Sequence, residues 1–198
     1  MITVAGRDLD ILFTALDAEL RRRNAGHIEI CVIGGAALNA VGLITRPTKD
    51  VDVVAVGETS AQALTLSKSR PLPQVLAQAA AAVAVEFQIE PGWINAGPAD
   101  LIDHGLPEGF ATRLVPRSYG SALTVHYAGR LDQICFKTYA AADVSGRHLT
   151  DLEALQPTAD EVRFALKWIE EQDNSDGFRV QLVELLEHLG MAYVTRDN

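Results

Sequence analysis

The stretch CVIGGAALNAVGLITRPTKDVDVVAVG, residues Cys31–Gly57, carries the pattern from which the fold is predicted. The apolar run HIEICVI, which begins just before it, predicts a strand that ends in the glycine pair Gly34-Gly35. The alanine and leucine content of AALNAVGL then predicts a short helix. Around Pro47 the residues TRPTK are typical of a loop, and the valine-rich DVDVVAV predicts a second strand. The predicted order is strand, glycine turn, helix, loop and strand.

Two carboxylates, Asp50 and Asp52, stand at the leading end of the second predicted strand. Residues i and i+2 of a strand face the same side, so we expect both side chains to lie together. Adjacent anions are stabilised by a shared cation, and magnesium is typically held by a few carboxylates together with substrate phosphates. The alternative is a strand that begins in solvent, with one or both aspartates simply exposed.

The glycine pair before the short helix bears on the same question. Glycines at a strand-to-helix turn let backbone amides approach a phosphate closely. Close packing alone also explains glycines at such turns, and the sequence fits neither the dinucleotide fingerprint nor the P-loop pattern. Phosphate binding beside Asp50 and Asp52 is therefore one of two interpretations of Gly34-Gly35.

The remaining segments alternate between helical and extended patterns. Apolar residues recur at helical spacing from Asp8 to Arg23, and the alanine-rich QVLAQAAAAVAVEF predicts another helix after Pro73. The Gly- and Pro-rich PGWINAGPADLIDHGLPEG is typical of a loop with one helical turn near Ala99–His104, and Trp93 is expected to anchor this loop to the core. ATRLVP and ALTVHYA predict two strands joined by the turn RSYG, and RLDQICFKTYAAADV predicts a helix. In the tail, Thr158 and Glu161 form a capping-box pattern, and GFRVQLVELLEHLG predicts a last helix.

These patterns predict an α/β (α+β) fold class, in which a small mixed sheet is flanked by helices and followed by a helical C-terminal section. The length of 198 residues suits one domain with at most a small appendage. Pro157 is the natural seam. We therefore expect a domain over residues 1–156 and a C-terminal helical section, residues 157–198, packed on it.

Composition and charge exclude several classes of protein. Hydrophobic residues make up 48% and charged residues 22%, and no apolar run is long enough to span a membrane. The N-terminal MITVAGRDLDILF lacks the pattern of a secretory signal, so a cytoplasmic location is expected. The net charge of −9 argues against a protein that coats nucleic acid over its whole surface. Cys31 and Cys135 are expected to be buried thiols, and the histidines lack metal-ligand spacing.

Two stretches of the chain resemble a known family. GGAALNAVGLITRPTKDVDVV resembles the signature of the nucleotidyltransferase superfamily, in which a Gly-Gly or Gly-Ser turn, a short helix and an Asp-x-Asp strand form the nucleotide and metal site. ICFKTYAAADVSGRHLTDLEAL is similar to the downstream motif of the AbiEii-type toxin nucleotidyltransferases, which include the mycobacterial MenT toxins and related small domains. There a helical lysine is followed by an alanine, an arginine and an Asp-Leu pair. The resemblance covers about Ile30 to Leu155.

The resemblance implies a nucleotidyltransferase fold and a reaction. A nucleoside monophosphate would be transferred from a nucleoside triphosphate, with release of pyrophosphate. Asp50 and Asp52 would be catalytic and would hold Mg²⁺ or Mn²⁺, which aligns the α-phosphate and neutralises charge on the attacking and leaving oxygens. Gly34 and Gly35 would bind the nucleotide at the phosphate turn.

The downstream motif implies three further residues. Lys137 would be catalytic and bind triphosphate oxygens as a point charge, and Arg147 would also contact the nucleotide. Asp151 would either orient Lys137 or assist the acceptor hydroxyl. The chain departs from the family at Arg147-His148, where Arg or Lys followed by Asp often stands, so no third metal ligand is assigned. Apart from the resemblance, Lys137 is typical of a snorkelling lysine and Asp151 of a charge near a helix N-terminus.

The loop before the aspartates offers a regulatory candidate, Thr48. In the toxins that the chain resembles, a Ser or Thr at this position can be phosphorylated by the cognate antitoxin, which silences the enzyme. A phosphate there would add about two negative charges beside Asp50 and Asp52 and exclude metal or nucleotide. A loop threonine also needs no such role. Arg46 and Lys49 either contact phosphate or an RNA backbone, or belong to a solvated loop.

The resulting hypothesis is a cytoplasmic toxin of a toxin–antitoxin system that adds nucleotides to RNA, with the 3′ end of tRNA as acceptor and an antitoxin protein as partner. The alternatives are a nucleotidyltransferase acting on a small molecule or on a protein hydroxyl, and an inactive fold that binds a partner. Clustering of the basic residues would favour RNA, and scattering would favour the other acceptors. These residues are Arg21–Arg23, Arg46, Lys49, Arg113, Arg117, Arg130, Lys137 and Arg147.

Overall fold

A computed structural model describes residues 6–61 and 63–195. The chain divides into two compact units. The first contains the residues up to Asp103 together with Gly109–Gly129, and the second contains His104–Glu108 and the residues from Arg130 onward. Among the described residues, no helix is both long and apolar enough to cross a membrane. The first five residues, on which the expectation about a secretory signal partly rests, lie outside the described ones.

The first unit is built around a mixed sheet of six strands within the described residues. The strands are β1 (Ile28–Ile33), β2 (Val51–Thr59), β3 (Leu64–Ser67), β4 (Ile94–Asn95), β5 (Val115–Ser118) and β6 (Leu123–Tyr127). Their order is β3-β2-β1-β6-β5, and β4 pairs with β2. β1 pairs with β6 and β2 with β4 in parallel, whereas the other pairs are antiparallel. The predicted α/β class with a small mixed sheet is confirmed.

Helices accompany this sheet along the chain. They are α1 (Gly6–Arg22), α2 (Gly34–Ala40), α3 (Gln74–Phe87), α4 (Leu101–His104), whose last residue belongs to the second unit, and α5 (Phe110–Arg113), with a 3₁₀ helix at Gly97–Asp100. Phe13 of α1 and Val83 of α3 belong to the same buried cluster as Val32, Val53 and Val125 of the central strands. Apolar residues at helical spacing in α1 and alanines in α3 thus form the layer on one sheet face.

Most predicted elements of this unit are confirmed, but one strand is wrong in its first half. The segment ATRLVP was predicted as a strand, whereas Phe110–Arg113 form α5 and β5 begins only at Val115. The Thr112 hydroxyl donates to the Gly109 carbonyl at 2.7 Å, a local bond that favours a helical turn over a sheet ladder. The expected turn RSYG is correspondingly shorter, because Arg117 and Ser118 extend β5.

A buried carboxylate, Asp17 of α1, holds the turn that precedes β6. Its Oδ1 accepts the N–H of Ala122 at 2.7 Å, and its Oδ2 pairs with Arg21 Nε at 2.8 Å. The residue is 1% exposed, so it offsets the cost of burying its charge through these bonds. A Cβ atom on Gly120 would lie 2.1 Å from Asp17 Oδ2, and the turn therefore requires glycine.

A second carboxylate, Glu29 of β1, connects its two neighbouring strands. His126 of β6 donates from Nε2 to Glu29 Oε2 at 2.6 Å. Thr59 of β2 donates from its backbone N–H at 3.1 Å and from its hydroxyl at 2.7 Å. Burial raises the pKa of the Glu29 carboxyl, but the bonds from Thr59 and His126 outweigh burial and hold the pKa below its ordinary value. The ionised form therefore stabilises the sheet.

The second unit is helical in the described part of the chain. Its helices are α6 (Arg130–Asp143), α7 (Arg147–Leu155), α8 (Ala159–Gln172) and α9 (Asp176–His188), followed by a 3₁₀ helix at Ala192–Thr195. The predicted capping box is confirmed, because the Thr158 side chain accepts the N–H of Glu161 and the Glu161 side chain accepts the N–H of Thr158. Pro157 lies between α7 and α8, and a domain boundary at that residue stays a prediction.

We expect the substitution Gly120→Ala to lower the free energy of unfolding by about 1–3 kcal/mol, because the added Cβ collides with a carboxylate that cannot move without breaking its own bonds. The measurement is urea denaturation followed by circular dichroism. Gly92→Ala is the matched control, since a Cβ at Gly92 meets nothing within 4 Å. Equal stability of the two variants would contradict the role of Asp17.

We expect Glu29→Gln to destabilise the protein near neutral pH and to lose that effect in acid. The folded pKa of Glu29 lies below the unfolded one, so the contribution of its charge is complete above about pH 5 and disappears as the pH falls through the folded pKa. Urea midpoints of wild type and variant should converge as the pH falls below the ordinary carboxyl pKa of 4.5 and through the lower folded pKa of Glu29. Glu58→Gln, an exposed carboxylate on β2, is the control. A difference between the urea midpoints of wild type and Glu29→Gln that stays constant with pH would contradict this role of the Glu29 charge.

Candidate functional site

The glycine pair opens α2 directly after β1. Ile33, the residue before it, is extended, and Gly34 has a φ of +71°, which favours glycine over residues with a side chain. The backbone therefore turns abruptly from strand to helix at Gly34. The predicted order of strand, glycine turn and short helix is confirmed at this point.

Close approach explains why both positions are glycine. A Cβ on Gly34 would lie 2.8 Å from Asp52 Oδ2. A Cβ on Gly35 would lie 3.0 Å from the Thr48 hydroxyl and 3.4 Å from a guanidinium nitrogen of Arg46. The first contact is too short for a Cβ atom unless the Asp52 carboxylate shifts, so that carboxylate lies against the side of Gly34 where a side chain would otherwise stand. Packing thus accounts for the glycines, and it does so by placing them against a residue of the predicted site.

Asp52 is held from both sides by neighbouring strands. In the antiparallel pair of β1 and β2 it lies opposite Ile33, and in the parallel pair of β2 and β4 it lies opposite Asn95. The Nδ2 of Asn95 donates to Asp52 Oδ1 at 3.2 Å. Since Val51 and Val53 face the core of α1 and α3, the half-buried Asp52 side chain lies on the other face of the sheet.

Asp50 stands one residue before β2 and is exposed. Its backbone carbonyl accepts the Thr48 hydroxyl at 3.1 Å, which ties the end of the loop to the strand. The preceding Lys49 is also exposed. The prediction that the carboxylates of Asp50 and Asp52 converge stays a prediction, whereas the positions of their backbones on a strand start are as expected.

The loop between α2 and β2 is fastened to the glycine turn by Asn39. Its Nδ2 donates to the Gly35 carbonyl at 2.9 Å and to the Arg46 carbonyl at 2.8 Å. Arg46 folds back and donates from Nη1 to the Pro47 carbonyl at 3.1 Å. Arg46 is therefore a part of the ordered loop, next to Gly35, rather than a fully solvated side chain.

Thr48, the regulatory candidate, is buried. The residue is 3% exposed, and its hydroxyl lies against Gly35 while donating to the Asp50 carbonyl. A phosphate on this oxygen has no room in the described arrangement. Modification at Thr48 therefore requires the loop to move away from Gly35.

The carboxylates of Asp50 and Asp52 suit a metal ion whose other ligands come from a substrate. Within residues 6–61 and 63–195 no group of three or more His, Cys, Asp or Glu side chains is placed to hold a metal ion. Two carboxylates are nevertheless the usual protein share of a magnesium site that is completed by phosphate oxygens and water. Asp50 and Asp52 fit that chemistry, whereas His126 bonds Glu29 and His27 bonds the Ser121 carbonyl.

The motif residues of the second unit form a buried ion pair. Lys137 Nζ on α6 lies 2.8 Å from Asp151 Oδ2 on α7. The two residues are 5% and 1% exposed, so Lys137 does not snorkel into solvent. Asp151 is the fifth residue of α7, whereas Arg147 is the first and is exposed. Of the two predicted roles for Asp151, orientation of Lys137 agrees with this contact.

Other predictions about single residues are confirmed. Both cysteines are buried and free, and burial raises the pKa of the Cys31 thiol to about 12, which makes it a poor nucleophile. Trp93 anchors its loop, because its Nε1 donates to the Ala80 carbonyl at 3.0 Å in the core. Sequence reasoning missed Asn95 and Asn39. Asn95 follows the noted Trp93 in the segment GWIN, and this proximity was the only available signal for it.

Comparison of the chain with protein-family models, with curated proteins and with solved structures found no match.

We expect Lys137→Met to lower the free energy of unfolding by about 3–5 kcal/mol, because it leaves the Asp151 carboxylate buried without its cation. The double variant Lys137→Met/Asp151→Leu should recover most of that loss, since it removes both charges. Chemical denaturation measures both effects. Lys167→Met is the control, because Lys167 forms an exposed pair with Glu108 at 3.4 Å, worth at most about 1 kcal/mol. A double variant as unstable as the single one would contradict the prediction.

Proposed function

We propose that the protein is a metal-dependent nucleotidyltransferase, which transfers a nucleoside monophosphate from a nucleoside triphosphate to a hydroxyl and releases pyrophosphate. The observation that carries the proposal is the contact of Asp52 on β2 with the backbone of the glycine turn at Gly34. This contact places the Asp52 carboxylate beside the glycine turn, where no side chains cover the backbone amides. A triphosphate with its divalent cation needs both kinds of group.

The first unit supplies the proposed metal and phosphate residues. Asp50 and Asp52 would bind Mg²⁺ or Mn²⁺ together with triphosphate oxygens, and Gly34 and Gly35 would let the phosphates approach the backbone. The bound cation would neutralise charge on the attacking and leaving oxygens. The order of β1, glycine turn, α2 and β2, with an Asp-x-Asp start of β2, also supports a nucleotidyltransferase fold for this unit. The hydrogen bonds from Asn39 to the Gly35 and Arg46 carbonyls would keep the loop between α2 and β2 in place.

The second unit supplies residues whose roles rest on the resemblance. Lys137 would donate to triphosphate oxygens, Arg147 would add a second cation at the start of α7, and Asp151 would orient Lys137. The buried ion pair supports the last of these roles, because it fixes the Lys137 ammonium in one position. Its burial also implies that Lys137 exchanges part of this bond for phosphate when it binds a nucleotide.

The proposed acceptor is RNA, with the 3′ end of tRNA as the site of addition and with a protein antitoxin as the partner of the toxin. This part of the proposal rests on the resemblance. Only a local patch of the surface would contact RNA, since the net charge is −9. The exposed Lys49 and Arg147 are cations suited to a phosphate backbone.

A second acceptor class is favoured by a specific observation, the pairing of basic residues with carboxylates. Arg21 pairs with Asp17, Arg22 and Arg23 pair with Glu19, Arg117 pairs with Asp10, Arg130 pairs with Glu161, and Lys137 pairs with Asp151. Cations that are engaged in this way contribute less to phosphate binding. A small molecule or a protein hydroxyl, which needs no basic face, is therefore the second candidate.

The deciding experiment incubates the purified protein with Mg²⁺, each α-labelled nucleoside triphosphate in turn, and either total tRNA, total cell protein or a small-molecule extract. We expect label on one acceptor class, and a loss of about a hundredfold or more in Asp50→Ala and Asp52→Ala, because a catalytic metal contributes several kcal/mol. Glu58→Ala, which removes an exposed carboxylate of β2 outside the proposed site, should keep full activity.

The acceptor that carries the label distinguishes the candidates. Label on tRNA supports the toxin-like enzyme, and label on protein or on a small molecule supports the second candidate. Absence of label on every acceptor, combined with absence of metal-dependent nucleotide binding, would reject the transferase and leave a partner-binding protein.

A further inference from the structure

Asn95 of β4 makes a contact to the proposed metal site that neither sequence motif assigned. It lies opposite Asp52 in the parallel pairing of β2 and β4. Its Nδ2 donates to Asp52 Oδ1 at 3.2 Å and to the Val51 carbonyl at 3.4 Å. Its Oδ1 accepts the N–H of Gly97 at 2.8 Å. One amide group thus connects the start of β2 with the 3₁₀ helix that follows β4.

The Gly97 bond determines which end of the amide faces the carboxylate. A backbone N–H can only donate, so the atom of Asn95 that faces Gly97 must be the oxygen. The amino group then necessarily points toward β2. Asp52 Oδ1 is therefore met by a neutral N–H donor, and rotation of its carboxylate would break that bond.

We propose that Asn95 is a positioning residue, which orients Asp52 for a divalent cation; the inference rests on the proposed function. Carboxylates that ligate metals are typically fixed by such hydrogen bonds, and their partners influence metal affinity about 10–100-fold. The Asn95 amide also stands beside Asp52 at the position where a third carboxylate would allow the protein to bind the cation without phosphate oxygens. The protein share of the site stays small, and the cation binds mainly together with the nucleotide.

The test measures binding of Mn²⁺ to the full-length protein by isothermal titration calorimetry, with and without a non-hydrolysable nucleoside triphosphate. We expect Asn95→Ala to raise the Mn²⁺ dissociation constant by about tenfold or more, since Asp52 loses its donor. Ser118→Ala is the matched control, because it removes a hydrogen bond of the same sheet, between the Ser118 and Thr124 hydroxyls at 3.1 Å, and should leave the constant unchanged.

A second variant separates positioning from a merely structural role. Asn95→Asp keeps an acceptor for the Gly97 N–H but replaces the donor to Asp52 with a carboxylate oxygen. We expect this variant to bind Mn²⁺ more tightly than wild type in the absence of nucleotide, because three carboxylates then share the cation. A loss of stability alone would weaken binding in both variants, whereas the proposal requires changes of opposite sign. Melting temperatures without metal verify that each variant is folded.

The outcomes distinguish this inference from the function on which it rests. If wild type binds Mn²⁺ with nucleotide and both Asn95 variants give the wild-type dissociation constant, the positioning role is overturned and the proposed function stands. If wild type binds no Mn²⁺ even with each of the four nucleotides, the proposed function fails and the role of Asn95 fails with it.

Discussion

The contact between the Gly34 backbone and the Asp52 carboxylate is the constraint on which the candidate site depends. It follows from the pairing of β1 with β2, which sets Ile33 opposite Asp52, so that the next residue of the chain turns directly over the carboxylate. A side chain at Gly34 would meet Asp52 at 2.8 Å, and the φ of +71° disfavours one independently. Two separate physical requirements thus select glycine at one position.

Charge is arranged differently in the two units. In the first unit, Asp17 and Glu29 are bonded to backbone or side-chain donors that connect distant parts of the chain, and Asp50 is left exposed at the strand start. In the second unit, Lys137 and Asp151 neutralise each other in a buried pair. A buried pair of this kind is a weak source of stability, since hydrophobic residues of similar size often serve as well. Its presence is easier to understand if the lysine has a role in binding.

Much of the fold follows from local patterns. The helical spacing of α1, the alanines of α3, the capping box of α8 and the apolar runs of β1, β2 and β6 are properties of single segments, which local propensity and periodicity specify. The strands β3 and β4 were not predicted, because they are short and exist through pairing with β2. The segment of α5 and β5 was misassigned for a related reason: four residues carry too little periodicity to separate a turn of helix from a strand.

In the candidate site, too, some residues could be predicted from local sequence patterns and others could not. Asp50, Asp52 and the glycine pair could be found because they lie in one continuous stretch with a recognisable order. Asn95 lies on β4, 43 positions from Asp52 along the chain, and nothing in its own neighbours indicates that its amide faces a carboxylate. Asn39 was missed although it is close in sequence, since its importance lies in two backbone carbonyls that only the folded loop brings together.

The burial of Thr48 has a kinetic consequence. Any enzyme that modified this hydroxyl would reach it only in the fraction of molecules whose loop has opened, so the rate of modification would be the rate of the chemistry multiplied by the population of that open state. A ligand that holds the closed loop lowers this population and protects the threonine by mass action. Molecules with a bound ligand would then be modified last, and ligand-free molecules would be modified first.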